Sequence, residues 1–274
     1  MSDETWRRLP FSDAPMGRQL ALGEALLEEC AASGAPALRW YVPTEPALVL
    51  GNGQKPRIVD VAACHAAGAR IYRRTSGGTA VLVNAELLSL DVILPAGHAL
   101  WTSDIVTAYH WVGAWWQDAL HALGAKKARA ISTEEVRAIP PLAPDDPLRL
   151  ACYGTLSPWE VVVGRRKLVG LCQVRRRPGA LYQIGVYRRF DPKALGQLLD
   201  LNNTSRKTLA TRLHNATLGL DQATGREVAH NEVMRAVEAA LVSRHGARLE
   251  ERDYTERELA SADRIQRERF LPFE

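Results

Sequence analysis

Cysteine is scarce in this chain, and its spacing carries no ligand pattern. The four residues Cys30, Cys64, Cys152 and Cys172 form no CxxC and no Cys/His series, which argues against a zinc site and a disulfide framework. No run approaches the ~20 apolar residues that a membrane span requires, and the opening MSDETWRRLPFSD has no apolar core of a secretory signal. The expectation is a soluble, unexported, cytoplasmic protein with reduced thiols. Charge of one sign is lacking too. The chain has 35 Lys and Arg against 31 Asp and Glu, a net of +4. That is too little to propose nucleic acid without a concentrated basic patch, although it suits an acidic protein partner. There is no internal repeat and no low-complexity tract. The 274 residues are enough for a sizeable α/β core that needs no staples.

Taken in order, the pattern alternates helix and strand. Trp6 is a candidate anchor. Asp13 stands where it could cap a helix that carries Leu20, Leu22, Leu26 and Leu27 and stops near Ser33 and Gly34. Ala37 to Val42 and Ala47 to Leu50 read as short strands divided by prolines, followed by a turn at Gly51–Gly53 and then Gln54. Asp60 to Ala67 reads as a short helix, and Ala69 to Leu94 as three strands joined by turns. Ser103 and Asp104 open an amphipathic helix through Leu123 bearing Trp111, Trp115 and Trp116, a core or partner-facing ridge. Ile139 to Leu148, with four prolines, is either a linker or a loop over a site. Beyond Tyr187 the pattern is helical, over Pro192 to Leu201 and Gly225 to His245. Thr255 and Glu258 form a capping-box signal, and the polar stretch Asn202 to Leu213 reads as a surface loop.

Two stretches carry chemistry. Arg73-Arg74-Thr75-Ser76-Gly77-Gly78 pairs glycines, which let a backbone approach a ligand, with arginines that can hold a carboxylate or phosphate. A plain hairpin turn with solvated arginines fits the same residues, and no GK[ST] ending makes it a P-loop. Further on, Cys152 lies among Gly154, Thr155 and Ser157 in a loop, ahead of Lys167-Leu168-Val169-Gly170. A thiolate can hold an acyl group and an ammonium can stabilise the oxyanion, so acyl transfer is the chemistry the pair suggests. Regular alternation from Lys167 to Arg176 sets Lys167 and Gln173 on one face and Gly170 and Cys172 on the other, with Cys172 read as a small buried hydrophobe. It also leaves Lys167 at the turn end of a hairpin, away from Cys152 unless the cysteine loop folds back.

These stretches resemble the lipoate and biotin protein ligase superfamily, on its lipoate-ligase and octanoyltransferase side. Arg73 through Gly77, Gly78, Thr79, Ala80 and Val81 is similar to its lipoate-binding loop, and Gly164 to Gly170 to the segment with its essential lysine. Leu38 to Gln54 and Met16 to Leu27 also match, so the resemblance spans nearly the whole chain. It implies a biotin/lipoate ligase fold: a mixed, mainly antiparallel sheet flanked by helices, one catalytic domain over residues 1–274, and a C-terminal helical part from about 190 packed on it. Cys152, then Ser157-Pro158-Trp159-Glu160, then Lys167 is similar to the cysteine-dependent octanoyltransferases, as is Glu86-Leu87.

The resemblance implies that Cys152 attacks an octanoyl thioester or amide. Lys167 and N–H groups near Gly77 and Gly78 would steady the carbonyl oxygen, with Ser76, Gly170, Gln173, Gln183 and Gly185 completing the substrate site. The partners implied are lipoyl domains and the glycine-cleavage H protein, with acyl-carrier protein as donor. Transfer needs no cofactor. The chain is expected to be a monomer with no nucleic-acid or membrane partner.

Three departures qualify this. Val83 and Ile184 stand where many members have histidine, and Gly170-Leu171-Cys172-Gln173 stands where many have GSAQ. The Gln183-Ile184 pair is similar to a sub-branch that takes octanoyl groups from the H protein. The competing readings are an ATP-dependent lipoate ligase, which would need ATP and Mg, and a non-catalytic acyl- or lipoyl-domain-binding protein. Biotin transfer is disfavoured because the loop is not the GRGR type.

Overall fold

The computed structural model describes residues 4–273; residues 1–3 and 274, part of the expected single domain, lie outside the described residues. The first half of the chain runs β1 (Thr5–Arg8), β2 (Ser12–Ala14), α1 (Met16–Ser33), β3 (Ala37–Pro43), β4 (Ala47–Leu50), α2 (Val61–Ala66), β5 (Arg70–Arg73), β6 (Val81–Val83) and β7 (Leu87–Pro95). Next come α3 (His110–Ala122), β8 (Ala128–Ala130), α4 (Thr133–Arg137) and the hairpin strands β9 (Val161–Val163), β10 (Arg166–Arg176) and β11 (Gly179–Tyr187). The last part is α5 (Ala194–Gln197), α6 (Asn203–Ala216), α7 (Leu220–Thr224), α8 (His230–His245), β12 (Arg248–Glu251) and α9 (Glu256–Arg269).

The strands form two sheets. The larger has the order β12-β1-β3-β7-β11-β10-β9-β8, with β2 beside β3. It is antiparallel at every pairing from β3 to β8 and parallel where β1 meets β12 and β3 and where β2 meets β3. The smaller has the order β5-β4-β6. This is the mixed, mainly antiparallel α/β arrangement expected. The C-terminal part is not purely helical, because β12 returns to the large sheet at the edge of β1.

Apolar burial explains the layering. Trp6, Trp40, Trp111, Trp115 and Trp116 share one core with Leu90, Val92, Val233 and Val237, between the large sheet and α3 with α8. Trp115 Nε1 donates to the Val237 carbonyl at 2.6 Å, so the buried indole has a polar partner. The tryptophan-bearing helix is therefore core, as its periodicity suggests. Opposite it, α1 places Leu20, Ala21 and Ala25 with Ala262 and Ile265 of α9. Beneath α1, Arg39 and Asp91 form a fully buried ion pair at 2.5 Å, and Arg39 also donates to Gln19. Such a pair is costly to leave half-made, so it fixes the docking of α1 on the sheet.

Several boundaries differ from expectation for local reasons. Pro15, not Asp13, precedes α1, and Asp13 is paired in β2. The helix of the tryptophans begins at His110, after a separate 3-10 turn at Thr107–Tyr109 whose first N–H is capped by Asp104. The stretch read as a surface loop is α6, capped by Asn202. Only Leu209 and Leu213 of α6 are fully buried. Two apolar residues one turn apart in a polar run are a weak helical signal, and packing against the smaller sheet's core decides the outcome. Asp60 caps α2, and the Thr255–Glu258 box forms as expected, with Glu258 also bound to Arg7 at 2.6 Å. Thr255→Ala is expected to lower stability by about 1 kcal/mol, the usual cost of losing such a cap; urea unfolding checks it.

Candidate active site

The site lies where the two sheets face each other under the start of α1. Met16 and Leu20 of α1, Tyr41, Leu87 and Ser89 of the large sheet, and Val49, Val81 and Val83 of the small one enclose a mostly apolar pocket. It is a small cavity of about 80 Å³ that opens to solvent, with apolar walls and a few polar groups, the usual make-up of a small-ligand site. Cys152 and Cys172 both line it.

The Cys152 loop is pinned from both sides. The Cys152 N–H donates to the Ala80 carbonyl at 2.8 Å, and the Ala80 N–H donates to the Leu150 carbonyl at 2.9 Å. The loop therefore rides as a short parallel bridge on the end of the glycine-rich segment. On its other side, Lys167 Nζ donates to the Cys152 carbonyl at 2.8 Å. Next to it, the Tyr153 carbonyl accepts from Thr217 Oγ1 at 2.9 Å. The loop does fold back over the sheet, and three separate segments hold it there.

Lys167 is almost fully buried, and Nζ also meets both Glu160 oxygens, at 2.9 Å and 2.8 Å. All three ammonium donors are thus occupied. Burial pushes the Glu160 carboxyl above its ordinary value, against the pull of the Lys167 charge and its hydrogen bond. Glu160 is aimed inward by a strained turn: Trp159 has φ +72°, the non-glycine residue with positive φ among the described residues. The turn is locked by Trp159 N–H on the Ile131 carbonyl and Ile131 N–H on the Glu160 carbonyl.

Regular alternation fails at one point of β10. The pairing with β9 shifts between Lys167 and Val169, a bulge at Leu168 that reverses the parity of the strand. That brings Lys167 to the side of the Cys152 loop, where alternation had set it apart. Cys172 is corrected as well: it faces the pocket, with Sγ 3.4 Å from Ser76 Oγ, and Ser76 Oγ donates to Gln183 Oε1 at 3.0 Å. Burial, the largest influence, pushes the Cys172 thiol upward, so it stays protonated near neutral pH.

The glycine loop is braced from within. Arg74 Nη2 donates to the carbonyls of Gly77 at 2.8 Å and Thr79 at 3.0 Å, so most of its donors fasten the loop, while its side chain still borders the pocket. Gly78 has φ +88°, a backbone state open to glycine. A Cβ on Gly51 would sit 1.9 Å from the Gly78 carbonyl oxygen. Gly51→Ala is therefore expected to displace the loop, destabilise the protein by about 1–3 kcal/mol and lower activity. Urea unfolding and an activity assay check both.

A family model of the lipoyl protein ligase A/B catalytic domain matches residues 15–242. The chain belongs to that family. The octanoyltransferase LipM of Carboxydothermus hydrogenoformans is 28% identical over 238 residues, 85% of this chain and 84% of that protein. The LipM of Kyrpidia tusciae is 28% identical over 265 residues, 96% of this chain and 95% of that protein. Among solved structures, a bipartite lipoate protein ligase from Thermoplasma acidophilum, studied with its E2 lipoyl domain, aligns with TM-score 0.78 at 18% identity, over 98% of this chain and 94% of that one. A lipoate-protein ligase A bound with ATP aligns with TM-score 0.75 at 18% identity, over 98% and 96%. At these identities the structures establish a shared fold.

Within this lipoyl ligase-family fold the expected residues divide into groups. Arg74, Val81, Cys152, Gly170, Gln183 and Gly185 border the pocket. Ser76 touches its wall through Gln183 and Cys172, while Ala80 and Lys167 hold the Cys152 loop. Gly77, Gly78 and Thr79 form the braced turn beside it. Two residues are not brought in: the Arg73 guanidinium stacks over the Phe273 ring at 5.4 Å, and Gln173 bonds the Ile105 carbonyl at 2.8 Å. Val83 and Ile184, where the family resemblance leads one to expect histidine, both line the pocket and make it more apolar. Sequence reasoning missed the role of Glu160, although a carboxylate seven residues before a lysine across a hairpin was a legible signal. It also missed Tyr41, Ser89 and Tyr153, which no local pattern singles out. Among the described residues no group of three or more His, Cys, Asp or Glu is placed to hold a metal, and no helix is long and apolar enough to cross a membrane.

Proposed function

We propose that this lipoyl ligase-family enzyme is an octanoyltransferase that carries the acyl group on Cys152 and delivers it to the lysine of a lipoyl domain. The observation that carries the reading is a thiol on the wall of an apolar pocket, in a loop fastened to the glycine turn on one side and to Lys167 on the other. The likeness to LipM octanoyltransferases over most of both chains supports it, and the archaeal ligase's study with an E2 lipoyl domain supports the acceptor class.

The steps follow from the groups present. The Cys152 thiolate adds to the carbonyl of an octanoyl thioester on a carrier protein, and the tetrahedral adduct expels the carrier thiolate, leaving S-octanoyl-Cys152. Lys167, beside the Cys152 carbonyl, lends positive charge, and N–H groups of the Gly77–Gly78 turn orient the oxyanion. The neutral ε-amine of the acceptor lysine then adds, the amide forms, and the Cys152 thiolate leaves; the ammonium proton passes to solvent. The apolar pocket takes the octanoyl tail, each buried methylene contributing about 0.8 kcal/mol. No imidazole lines the pocket, so proton removal from the amine falls to solvent. Transfer needs no nucleotide.

The test is formation of octanoyl-lysine on an apo lipoyl domain from octanoyl-acyl-carrier protein without ATP. Transfer from octanoyl-H protein alone would assign the donor to an amide. Product formed only from free octanoate or lipoate with ATP would overturn the reading in favour of a ligase.

A further inference from the structure

Strand β10 is longer than the neighbour that covers it. β9 pairs with it only from Arg166 to Val169, because the chain before Val161 turns at Trp159 and sends Glu160 inward. Past that point, among the described residues, β10 has β11 on one side and no strand on the other. The Leu171 N–H points to the open side, where Glu160 Oε1 accepts it at 3.2 Å. Outward groups in an antiparallel pair belong to alternate residues. The Leu171 carbonyl, the N–H and carbonyl of Gln173 and the Arg175 N–H therefore point the same way. Among the described residues none of these groups has a hydrogen-bond partner.

This edge opens where the acyl pocket begins. Gly170 and Cys172 line the pocket together with Cys152, so a strand added to the edge would turn alternate side chains towards the pocket. A lysine side chain reaches only about 6 Å from its backbone, and its carrier must be held that close to the thioester. The surroundings of the edge also suit a partner. Ile105 and Val106, 60% and 40% exposed, stand beside it, with the Ile105 carbonyl bonded to the Gln173 amide. At its far end Arg176 and Arg177 are exposed, and they favour an incoming segment with acidic residues near its lysine. Open edges are commonly covered or shortened; this one runs bare beside the nucleophile.

We propose that the free edge of β10, from Leu171 to Arg175, is the docking site for the acceptor: an extended, acidic, lysine-bearing segment of the lipoyl domain pairs with it as an added strand and sends its lysine to Cys152. The proposal rests on the reading that Cys152 delivers an acyl group to such a lysine. Backbone pairing supplies the hold, and the alternation of the added strand supplies the aim.

Hydrogen exchange of the wild-type protein, followed residue by residue with NMR, with and without a saturating apo lipoyl domain, tests the docking whether or not transfer occurs. The Gln173 and Arg175 amides are expected to exchange at least tenfold more slowly with the domain bound. Unchanged exchange at saturation would overturn the proposal, and a domain that does not bind would sink the acceptor reading with it. Kinetics supply the second arm. Proline at 173 removes an outward N–H and sets a ring in the partner's way, while the bonds to β11 remain. Gln173→Pro is expected to raise KM for the lipoyl domain roughly tenfold or more and to leave octanoyl labelling of Cys152 unchanged, whereas Gln173→Ala, which keeps the N–H, stays within about twofold of wild type. If Gln173→Pro loses its native circular dichroism, Arg176→Glu with Arg177→Glu decides: the same rise in KM is expected, and an unchanged KM would overturn the proposal. Loss of labelling in folded Gln173→Pro would assign the edge to the donor. A wild-type dimer that Gln173→Pro breaks without a change in KM would assign it to a second copy, and either result overturns the proposal. Slowed exchange without transfer from any donor would sink the transferase reading and leave the docking edge standing.

Discussion

Replacing Cys152 by alanine is expected to lower octanoyl transfer to a lipoyl domain by ~10³-fold or more, because removing the nucleophile of a covalent route removes the route. Stability is expected to change little, by about 1 kcal/mol or less. The half-buried sulfur is a small part of the loop's anchorage. The bonds to Ala80 and Lys167 are made by the Cys152 backbone and persist without it. Cys172→Ala provides the contrast. It borders the same pocket, but its thiol is pushed upward by burial, so transfer is expected to continue. Rate measurements on both variants with urea unfolding check the pair of outcomes. If Cys172→Ala abolished transfer and Cys152→Ala did not, the assignment of the nucleophile would be wrong.

Lys167→Ala is expected to damage both stability and activity. It leaves the Glu160 carboxyl buried without its partner, a situation that costs about 3–5 kcal/mol, and it frees the Cys152 carbonyl. Lys167→Met combined with Glu160→Leu separates the two effects. With both charges removed and the volume kept, stability is expected to return to near that of the wild type. Transfer is expected to remain down by ~10²-fold or more, since the oxyanion loses its nearby charge and the thiol its positioning. Recovery of both properties in the double variant would mean that Lys167 serves the fold alone.

Much of this was legible in the chain. The glycine turn, the strand-proline-strand run before Gln54, and the tryptophan-bearing helix announce themselves through residues whose local preferences agree with the final fold. Gln54 shows how far such reading goes: it stands after its turn as expected, and its side chain accepts from Gly51 N–H and donates to the Leu150 carbonyl. What stayed hidden depends on tertiary context. The bulge at Leu168 reverses a strand's parity, and with it the sides taken by Lys167 and Cys172; a VVVGRRKLVG hairpin carries no mark of it. Helix α6 hides in a polar run because Leu209 and Leu213 alone pay for its order. Arg73 and Arg74 look equivalent in the sequence, yet one stacks on Phe273 and the other braces the glycine turn. Their difference arises from strand alternation at the end of β5 and from the C-terminal residues that pack there.

The central claim is that the acyl group passes through Cys152 in the pocket between the two sheets. Intact-protein mass after mixing the wild-type protein with octanoyl-acyl-carrier protein, and separately with octanoyl-H protein, tests it most directly, with peptide mapping of any adduct. The account predicts a gain of one octanoyl group with at least one donor, borne by Cys152 and lost in Cys152→Ala. An unmodified protein that nonetheless turns over, or an adduct on another residue, would contradict it.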